Sequence, residues 1–532
     1  MKSIFSFLFV LLAFCAGAQK DWSQQYGQVI SQDELKKHLY VIASDAYEGR
    51  ETGMEGQRKA AQYLDEYYAG IGIKTQRQIF PLKRLSFLES SVVLNTSDVV
   101  NKTYDAANKT YSFIEDFYFF SADRTQTVEV NELVFVGYGI SEEGWDDYKG
   151  LDVKGKTIIC LSGEPVKKGK SLITGKKEFS QWTLDREAKR KTAIEKGAKM
   201  FIQIDQNFDQ YMSRVKYYLQ TPRMTLDKRG AEDEEDLRIL YLHCSIKMAE
   251  DVLAKMGLPN HATLMKKAMK RKKVSAKAHQ ATIKVNFHVK REDLVSDNVL
   301  AFLEGEDPEL KSEIVVISAH YDHVGIINGE IHNGADDDGS GTVSVMEMAR
   351  AFVQAKKEGH GSKRSILFLH VSGEEKGLLG SEWYSDHPVY PLANTVCDLN
   401  VDMVGRKDAD HQDGRYVYLI GSDKLSTELH QISEEANKKY TQLQLDYTYN
   451  DPNDPNQFYY RSDHYNFAKH NIPVIFYFSG VHEDYHKPGD DPEKIMYDKM
   501  AEIGKLVFHT AWEVANRPEK LKVDVTNDFK QK

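Results

Sequence analysis

Cysteine is scarce in this chain of 532 residues, which contains four. Cys15 lies in an N-terminal apolar segment, and the other three are too few and too odd in number to build a disulfide framework. Each of those three follows or lies in an apolar run, and buried cysteine behaves as a small hydrophobic residue. We therefore expect three buried free thiols, at Cys160, Cys244 and Cys397.

Long apolar runs are equally scarce, and beyond the N-terminus none reaches the roughly 20 residues that span a bilayer. At the N-terminus, Lys2 precedes the apolar run 4–14, and Ala16-Gly17-Ala18 supplies the small residues of a cleavage site. This pattern predicts a signal peptide, residues 1–18, and export to the periplasm or the exterior without an integral membrane span. Lipidation at Cys15 is the less favoured alternative, because Phe14 stands where lipoprotein signals normally have a small residue.

The chain also lacks an excess of positive charge. Its formal net charge is -10 and its pI is near 6.0, which argues against a nucleic-acid partner because such proteins present a basic face to phosphates. A basic run at 266–273 lies near an acidic block at 232–236, and we interpret the pair as a solvated helix face or a linker. No pattern indicates an oligomeric state.

The length predicts at least two domains, since one hydrophobic core rarely organises so many residues. Near residue 128 the sequence changes to short β-rich runs at 132–137, 157–161 and 200–204, which is typical of an inserted module. We assign 19–122 to the first part of a main domain, 123–290 to the inserted module, 291–518 to the rest of the main domain and 519–532 to a tail. A capping box at Ser31 and Glu34 predicts a helix start, and a second helix is expected over 57–70.

From residue 298 short apolar or β-branched runs alternate with helical patterns. The runs lie at 314–317, 366–371, 395–401, 416–420 and 473–478. Near-continuous apolar strands separated by helices predict an α/β fold with a mostly parallel sheet covered by helices on both faces.

Polar residues follow four of these five strands, where open α/β sheets bind their ligands. His320 with Asp322, the pair Glu374-Glu375, Asp402, and His486 each come just after a strand, and an acidic turn at 333–341 opens the helix after the first strand. Imidazoles combined with carboxylates suit zinc or a similar first-row divalent ion. Five good ligand candidates exceed what one zinc needs, so the set favours two ions sharing a bridging carboxylate.

Two carboxylates in this set have other predicted roles. Asp322 lies two residues beyond His320, where it can accept the remaining imidazole N–H and fix the tautomer. Glu374 is adjacent to Glu375, so one carboxylate can bind metal while its neighbour takes a proton from a nearby water as general base.

These residues resemble the two-zinc exopeptidases that include bacterial leucyl aminopeptidases and glutamate carboxypeptidase II. The His-x-Asp pair, the Gly-x-Asp-Asp-x-x-Ser-Gly turn, the Glu-Glu pair, the later Asp and a Tyr-His near the C-terminus occur here in that order. The resemblance implies that Asp337 bridges two Zn²⁺ ions, one held also by His320 and Asp402, the other by Glu375 and His486. It further implies Glu374 as base, Tyr485 as hydrogen-bond donor to a developing oxyanion, and a cis peptide at Asp337-Asp338.

The resemblance extends to residues 44–53, similar to the family's N-terminal segment, and to 134–140 and 152–156, similar to the inserted protease-associated domain of some members. It implies an exopeptidase, and the favoured form is an aminopeptidase acting on peptides. A carboxypeptidase or another amide hydrolase on the same metal site is an alternative. So is a non-catalytic binding protein on this scaffold, although such relatives lose ligands that are intact here.

Overall fold

The structure, a computed structural model, describes residues 20–96, 107–120, 124–227, 240–270 and 279–526. The chain divides into two compact units, Met1–Pro81 with Val295–Lys532, and Leu82–Leu294. The predicted signal peptide and Cys15 lie outside the described residues. No helix in the described ranges combines the length and the apolar character that a membrane crossing requires.

Thirteen α-helices are numbered in chain order within the described residues. They are α1 Trp22–Gly27, α2 Gln32–Ile42, α3 Glu55–Ile71, α4 Gln181–Leu184, α5 Ala188–Glu195, α6 Phe208–Gln220, α7 Ile246–Lys255, α8 His261–Met269, α9 Gly341–Lys357, α10 Leu379–Asp386, α11 Thr427–Ala436, α12 His464–Ala468 and α13 Tyr497–Asn516. The predicted start of α2 is confirmed, because the Ser31 side chain accepts a hydrogen bond from the Glu34 backbone N–H.

The strands of the described residues are numbered in the same way. They are β1 Thr75–Ser86, β2 Ser91–Asn95, β3 Asn108–Ser112, β4 Phe117–Tyr118, β5 Gln126–Phe135, β6 Ser141–Glu142, β7 Trp145–Asp146, β8 Thr157–Leu161, β9 Val166–Lys167, β10 Lys170–Ser171, β11 Met200–Ile204, β12 Arg223–Leu226, β13 Leu240–Cys244, β14 His279–Phe287, β15 Lys290–Leu303, β16 Ile314–His320, β17 Gly325–Ile327, β18 Glu330–His332, β19 Ser365–Val371, β20 Thr395–Val401, β21 Tyr416–Ile420, β22 Gln444–Asp446 and β23 Val474–Phe478.

The first unit has the predicted α/β fold. Its strands are hydrogen-bonded in the order β15, β19, β16, β20, β23, β21, β22, and the four from β19 to β23 are parallel. Strands β16, β19 and β20 are buried along their whole length, which explains why they read as continuous apolar runs. Antiparallel β15 and β21 flank the four parallel strands and make the sheet mixed.

The second unit has its own mixed sheet, in the order β3, β2, β14, β5, β8, β11, β13, β4. Its extent differs from the assigned 123–290, because β2 and β3 pair within this sheet and the unit begins at Leu82. These strands have five residues each and only alternate positions are buried, so they carry a weak pattern. Part of the basic run lies on a helix, which is one of its two interpretations: α8 carries Lys266 and Lys267 and buries Leu264. The preceding helix, α7, buries Met248 and Val252.

The three cysteines Cys160, Cys244 and Cys397 are free and buried, as predicted. Burial raises the pKa of the Cys160 thiol to about 12. A thiol in that environment stays protonated near neutrality, and the thiolate is the reactive form. These cysteines are therefore packing residues.

Candidate metal centre

The parallel strands bring the predicted site residues to one edge of the sheet. His320 is the last residue of β16, Asp402 follows β20, and Glu374 and Glu375 lie in a single 3₁₀ turn after β19. His486 lies in the loop after β23 with φ at +55°. Because β19, β16, β20 and β23 are adjacent and parallel, their carboxyl ends meet at this edge.

Asp337 lies between the two histidines. Its Oδ1 is 3.4 Å from His320 Nε2 and its Oδ2 is 3.0 Å from His486 Nε2. Asp402 Oδ1 lies 3.7 Å from His320 Nε2, and Glu375 Oε2 lies 3.0 Å from His486 Nε2. The residues therefore form two groups, His320 with Asp402 and Glu375 with His486, and each group faces a different oxygen of Asp337.

Asp338 also lies near His320 and Asp402, within reach of the same ion. Its oxygens, however, accept backbone N–H groups of Gly341 at 2.8 Å, Met403 at 3.1 Å and His320 at 3.2 Å. Asp338 therefore ties three segments of the site together, and Asp337 is the better bridging candidate. The peptide bond between Asp337 and Asp338 is cis, as the resemblance implies.

Unsatisfied buried atoms test whether a cation fits here. His320 Nε2, His323 Nδ1 and Glu375 Oε1 are buried and have no hydrogen-bond partner. Buried polar groups are normally paired, and an absent ion is one recognised explanation when they are not. Imidazole nitrogens and carboxylate oxygens are the ligands that zinc prefers, so the donor set fits zinc.

The pKa values show how strongly these groups interact. Burial lowers the pKa of His320, but the carboxylates of Glu374 and Asp402 raise it well above its ordinary value. Burial and Asp337 act to raise the pKa of Glu375, but His486 and His323 bring it down to about 2. Burial raises the pKa of Glu374 well above its ordinary range. The crowded carboxylates therefore favour a positive charge in this space, which a bound cation also supplies.

Asp322 has a different arrangement from the predicted one. The closest contact of His320 Nδ1 is the Asp322 backbone carbonyl oxygen at 3.1 Å, while the carboxylate Oδ1 lies 3.7 Å away. The carboxylate accepts hydrogen bonds from the Thr52 hydroxyl at 2.6 Å and the Glu374 backbone N–H at 3.3 Å. Asp322 thus orients both the imidazole, through its main chain, and the turn that carries Glu374.

The motif Ser462-Asp463-His464 supports one of the ligands. The Ser462 hydroxyl donates to Asp402 Oδ2 at 2.7 Å, which leaves Oδ1 facing His320. Asp463 accepts a hydrogen bond from the Ser381 hydroxyl, and burial raises the pKa of its carboxyl to about 7. Ser462 is therefore the residue of this motif that contacts a candidate ligand.

Arg50 is a supporting residue that the sequence analysis did not single out. Its guanidinium is fully buried and donates to the carbonyls of Tyr321 at 2.9 Å, Ile42 at 2.8 Å, Asn333 at 2.6 Å and Gly334 at 2.8 Å. Tyr321 directly follows His320, and Asn333 and Gly334 shortly precede Asp337. Arg50 therefore fixes the spacing of the two loops that carry these ligands.

We expect Arg50→Lys to lower the free energy of unfolding by about 3 kcal/mol, because one ammonium cannot replace a guanidinium that serves four buried carbonyls. Urea unfolding followed by circular dichroism measures the loss. The matched control is Arg58→Lys, because Arg58 is exposed and pairs with Glu55 on the surface. Equal stability of the two variants would contradict this role of Arg50.

Asp490 positions the bridging residue from the other side. Its carboxylate accepts the backbone N–H groups of Asp336 at 3.0 Å and Asp337 at 3.1 Å. Asp336 in turn accepts from the Gly405 backbone N–H and lies 3.3 Å from His482 Nε2. No sequence signal marks Asp490, because its contacts are made across more than 150 residues.

Tyr485 lies beside a cavity that opens onto the site. Its ring stacks on His486 with centroids 3.9 Å apart, and burial raises the pKa of its hydroxyl. The cavity is partly open to solvent. Its lining combines three site carboxylates, one arginine and several apolar side chains: Asp337, Glu374, Asp402, Met403, Phe458, Arg461, Phe476, Phe478, Val481 and Tyr485.

His323 belongs to the site although no sequence pattern assigns it there. Its Nδ1 lies 2.8 Å from Glu375 Oε1 and 3.8 Å from Asp337 Oδ2. These three residues form a candidate metal-binding group. His332 lies nearby, and its Nδ1 is 3.2 Å from the His486 backbone carbonyl oxygen.

Residues 298–511 match the model of peptidase family M28. The chain is 31% identical over 233 residues to a probable leucine aminopeptidase of Arthroderma benhamiae, covering 42% of this chain and 59% of that protein. It is 30% identical over 217 residues to aminopeptidase YwaD of Bacillus subtilis, covering 40% and 43% of the two chains. The chain thus spans less than two thirds of the length of these relatives.

A solved structure extends the similarity to the whole fold. The aminopeptidase from Aneurinibacillus sp. strain AM-1 has a TM-score of 0.56 to this chain at 19% identity, and the match covers 95% of this chain and 98% of that one. At this identity the match supports the fold alone. It includes most of both units.

Proposed function

We propose that this protein is a zinc-dependent exopeptidase that removes N-terminal residues from peptides. The observation that carries the proposal is the division of the site into two ligand groups on opposite oxygens of Asp337. Such a division suits two ions that share a bridging carboxylate, as in two-metal hydrolases. The aminopeptidase relatives named above agree with it.

The residues that would hold the ions are His320, Asp402 and Asp337 for one, and Glu375, His486 and Asp337 for the other. Zinc bound there would act as a Lewis acid and lower the pKa of a bound water toward about 7. The proton transfers and the stabilisation of the developing oxyanion are assigned to side chains of this chain.

Glu374 is the proposed general base. Its Oε2 lies 3.8 Å from His320 Nε2, on the first ion's side of the site, and its carboxylate reaches the cavity. From there it takes a proton from the attacking water and passes it to the leaving amine. Tyr485, on the same cavity, donates a hydrogen bond to the carbonyl oxygen as negative charge develops on it.

The cavity also suggests which side chain is bound. Five apolar side chains line it beside the carboxylates of the site: Met403, Phe458, Phe476, Phe478 and Val481. An apolar or aromatic residue would bury its surface there, at about 25 cal/mol per Å² of apolar area. We therefore propose a preference for peptides whose first residue is apolar.

The test is elemental analysis of the purified protein, coupled to hydrolysis of leucyl and phenylalanyl anilides with free or acetylated amino groups, before and after chelation. We expect about two zinc ions per chain and chelator-sensitive cleavage of the free-amine substrates alone. Metal without cleavage of any free-amine substrate would overturn the aminopeptidase proposal, and a protein that binds no metal would favour a non-catalytic binding role.

One observation favours a second candidate, removal of C-terminal residues. Arg461 lines the same cavity, and its guanidinium lies 4.7 Å from the centre of the Phe458 ring. A guanidinium in such a place can bind a carboxylate with paired hydrogen bonds. Cleavage of N-acetylated dipeptides, lost on Arg461→Gln, would establish this alternative.

We further propose that the protein is exported, since residues 2–18 have the order of charge, apolar run and small residues of a signal peptide. Expression in a host with a secretion pathway, followed by N-terminal sequencing, tests this. A mature chain beginning at Gln19 is expected, and an intact Met1 would contradict it. The second unit, Leu82–Leu294, we propose to be a protease-associated domain.

A further inference from the structure

His323 has the features of a metal ligand rather than of a packing residue. Its side chain is fully buried, at 0% exposure, and neither ring nitrogen has a hydrogen-bond partner. Leaving a polar group buried and unpaired is destabilising. An apolar residue would fill this space without leaving polar atoms unpaired, so packing alone does not explain a histidine here. The ring nitrogen therefore needs a partner.

The same feature marks the ligand candidate His320. Its Nε2 is also buried and unpaired, and it faces the carboxylates of Asp337 and Asp402. His323 Nδ1 faces Asp337 and Glu375 in the same manner. The two imidazoles thus face different oxygens of Asp337, the proposed bridging carboxylate.

The contact between His323 and Glu375 lacks hydrogen-bond geometry. Nδ1 and Oε1 are 2.8 Å apart, but the N–H direction does not point at the oxygen, and both atoms remain without a hydrogen-bond partner. Two ligands of one zinc ion lie about 2 Å from it, which separates their atoms by about 3 Å with neither aimed at the other. The distances of His486 to Glu375 and Asp337, 3.0 Å each, have this character too.

The backbone packs closely around the imidazole. A Cβ atom at Gly334 would lie 2.5 Å from the His323 ring, and Gly334 has φ at +59°. Gly334 lies three residues before Asp337, in the turn that presents the bridging carboxylate. The ring is therefore held against this turn, and its Nδ1 keeps one direction.

We infer that His323 is a fourth protein ligand of the second ion, through Nδ1, beside Asp337, Glu375 and His486. This inference rests on the proposed zinc site. It makes the two positions unequal, because the first ion keeps three protein ligands, His320, Asp337 and Asp402. Sites closed by four protein ligands hold zinc structurally, whereas sites with three keep a position for water or substrate.

The two metal positions should therefore bind their ions in a definite order. The second position, with four protein ligands, fills first and most tightly, and the first position, beside Glu374, stays open to water and substrate. Glu374 lies 3.8 Å from His320 and so is on the open side. The base and the open position therefore coincide.

The experiment is a titration of the metal-free protein with Co²⁺ and with Zn²⁺, followed by the visible absorption of Co²⁺ and by calorimetry. We expect the wild-type protein to bind two ions in distinguishable steps. His323→Ala should weaken the tighter step by at least about 100-fold, because removing even a partner that only orients a ligand costs 10–100-fold, and should change the absorption spectrum of the first ion bound. The weaker step should change little.

Two controls separate the outcomes. His360→Ala removes a histidine that stacks on Trp22 away from the ligands and should leave both steps unchanged. His323→Gln offers an amide that can donate to Glu375, and recovery of tight binding with an unaltered spectrum would reduce His323 to a positioning residue and overturn the inference. Unchanged affinity in His323→Ala would overturn it as well. A wild-type protein that binds no metal would instead refute the proposed zinc site.

Discussion

Glu374→Gln is expected to lower kcat/KM by about 10²–10⁴-fold, the range typical of a lost general base. Glutamine keeps the size of the side chain but cannot accept the proton of the attacking water. The two ligand groups do not include Glu374, so the metal content should stay at the wild-type level. Hydrolysis of a free leucyl anilide and elemental analysis of the same sample measure the two quantities together.

The matched control for this variant is Glu358→Gln. Glu358 follows helix α9 and accepts hydrogen bonds from Tyr26 and Gln354, so the substitution changes the same functional group away from the site. It should leave kcat/KM within a factor of two. Glu374→Gln with more than a tenth of the wild-type activity would refute the assignment of the base. Lost activity together with lost metal would indicate that Glu374 acts as a ligand.

Three of the candidate ligands could be predicted from the sequence because each lies at the end of a recognisable strand or shortly after it. Buried parallel strands have continuous apolar runs, and a polar residue directly after such a run lies at the carboxyl edge of the sheet. His320, Asp402 and Glu375 all meet this condition. Their mutual distances then follow from strand adjacency, which the helical connections indicate.

The supporting residues could not be predicted in this way. Arg50 reaches Asn333 across 283 residues, and Asp490 reaches Asp337 across 153. Nothing in the local sequence of either residue specifies such a contact, because it depends on how distant loops converge. His323 is a related case, since it lies three residues beyond β16 in a loop, where neither strand nor helix periodicity predicts the direction of a side chain.

The sequence pattern also did not predict where the second unit begins. Strands β2 and β3 have alternating burial and lie on either side of residues 97–106, which the structure does not describe. Half-exposed strands of this length contribute few apolar residues each. The pairing of β2 with β14 and of β3 with β2 supplies the missing information, since it assigns both strands to the sheet of Leu82–Leu294.

Asp337→Asn is expected to weaken the binding of both ions. For the ion that His320 and Asp402 also hold, the affinity should fall by at least about 100-fold, since even residues that only orient a ligand contribute 10–100-fold. The amide removes the negative charge that both ligand groups share, and only one of its two atoms can still coordinate a metal. Activity should fall with the metal content. Calorimetric titration of the metal-free protein with Zn²⁺ measures each binding step.

Asp402→Asn is the informative comparison, because Asp402 belongs to one ligand group only. Its Oδ1 faces His320 and its Oδ2 accepts the Ser462 hydroxyl, so this variant should weaken one binding step and spare the other. Circular dichroism of both variants checks that the fold is retained. If Asp337→Asn also spared one step, Asp337 would serve a single ion, and the two groups would be independent sites. If both variants bound metal as the wild-type protein does, neither carboxylate would belong to the metal centre.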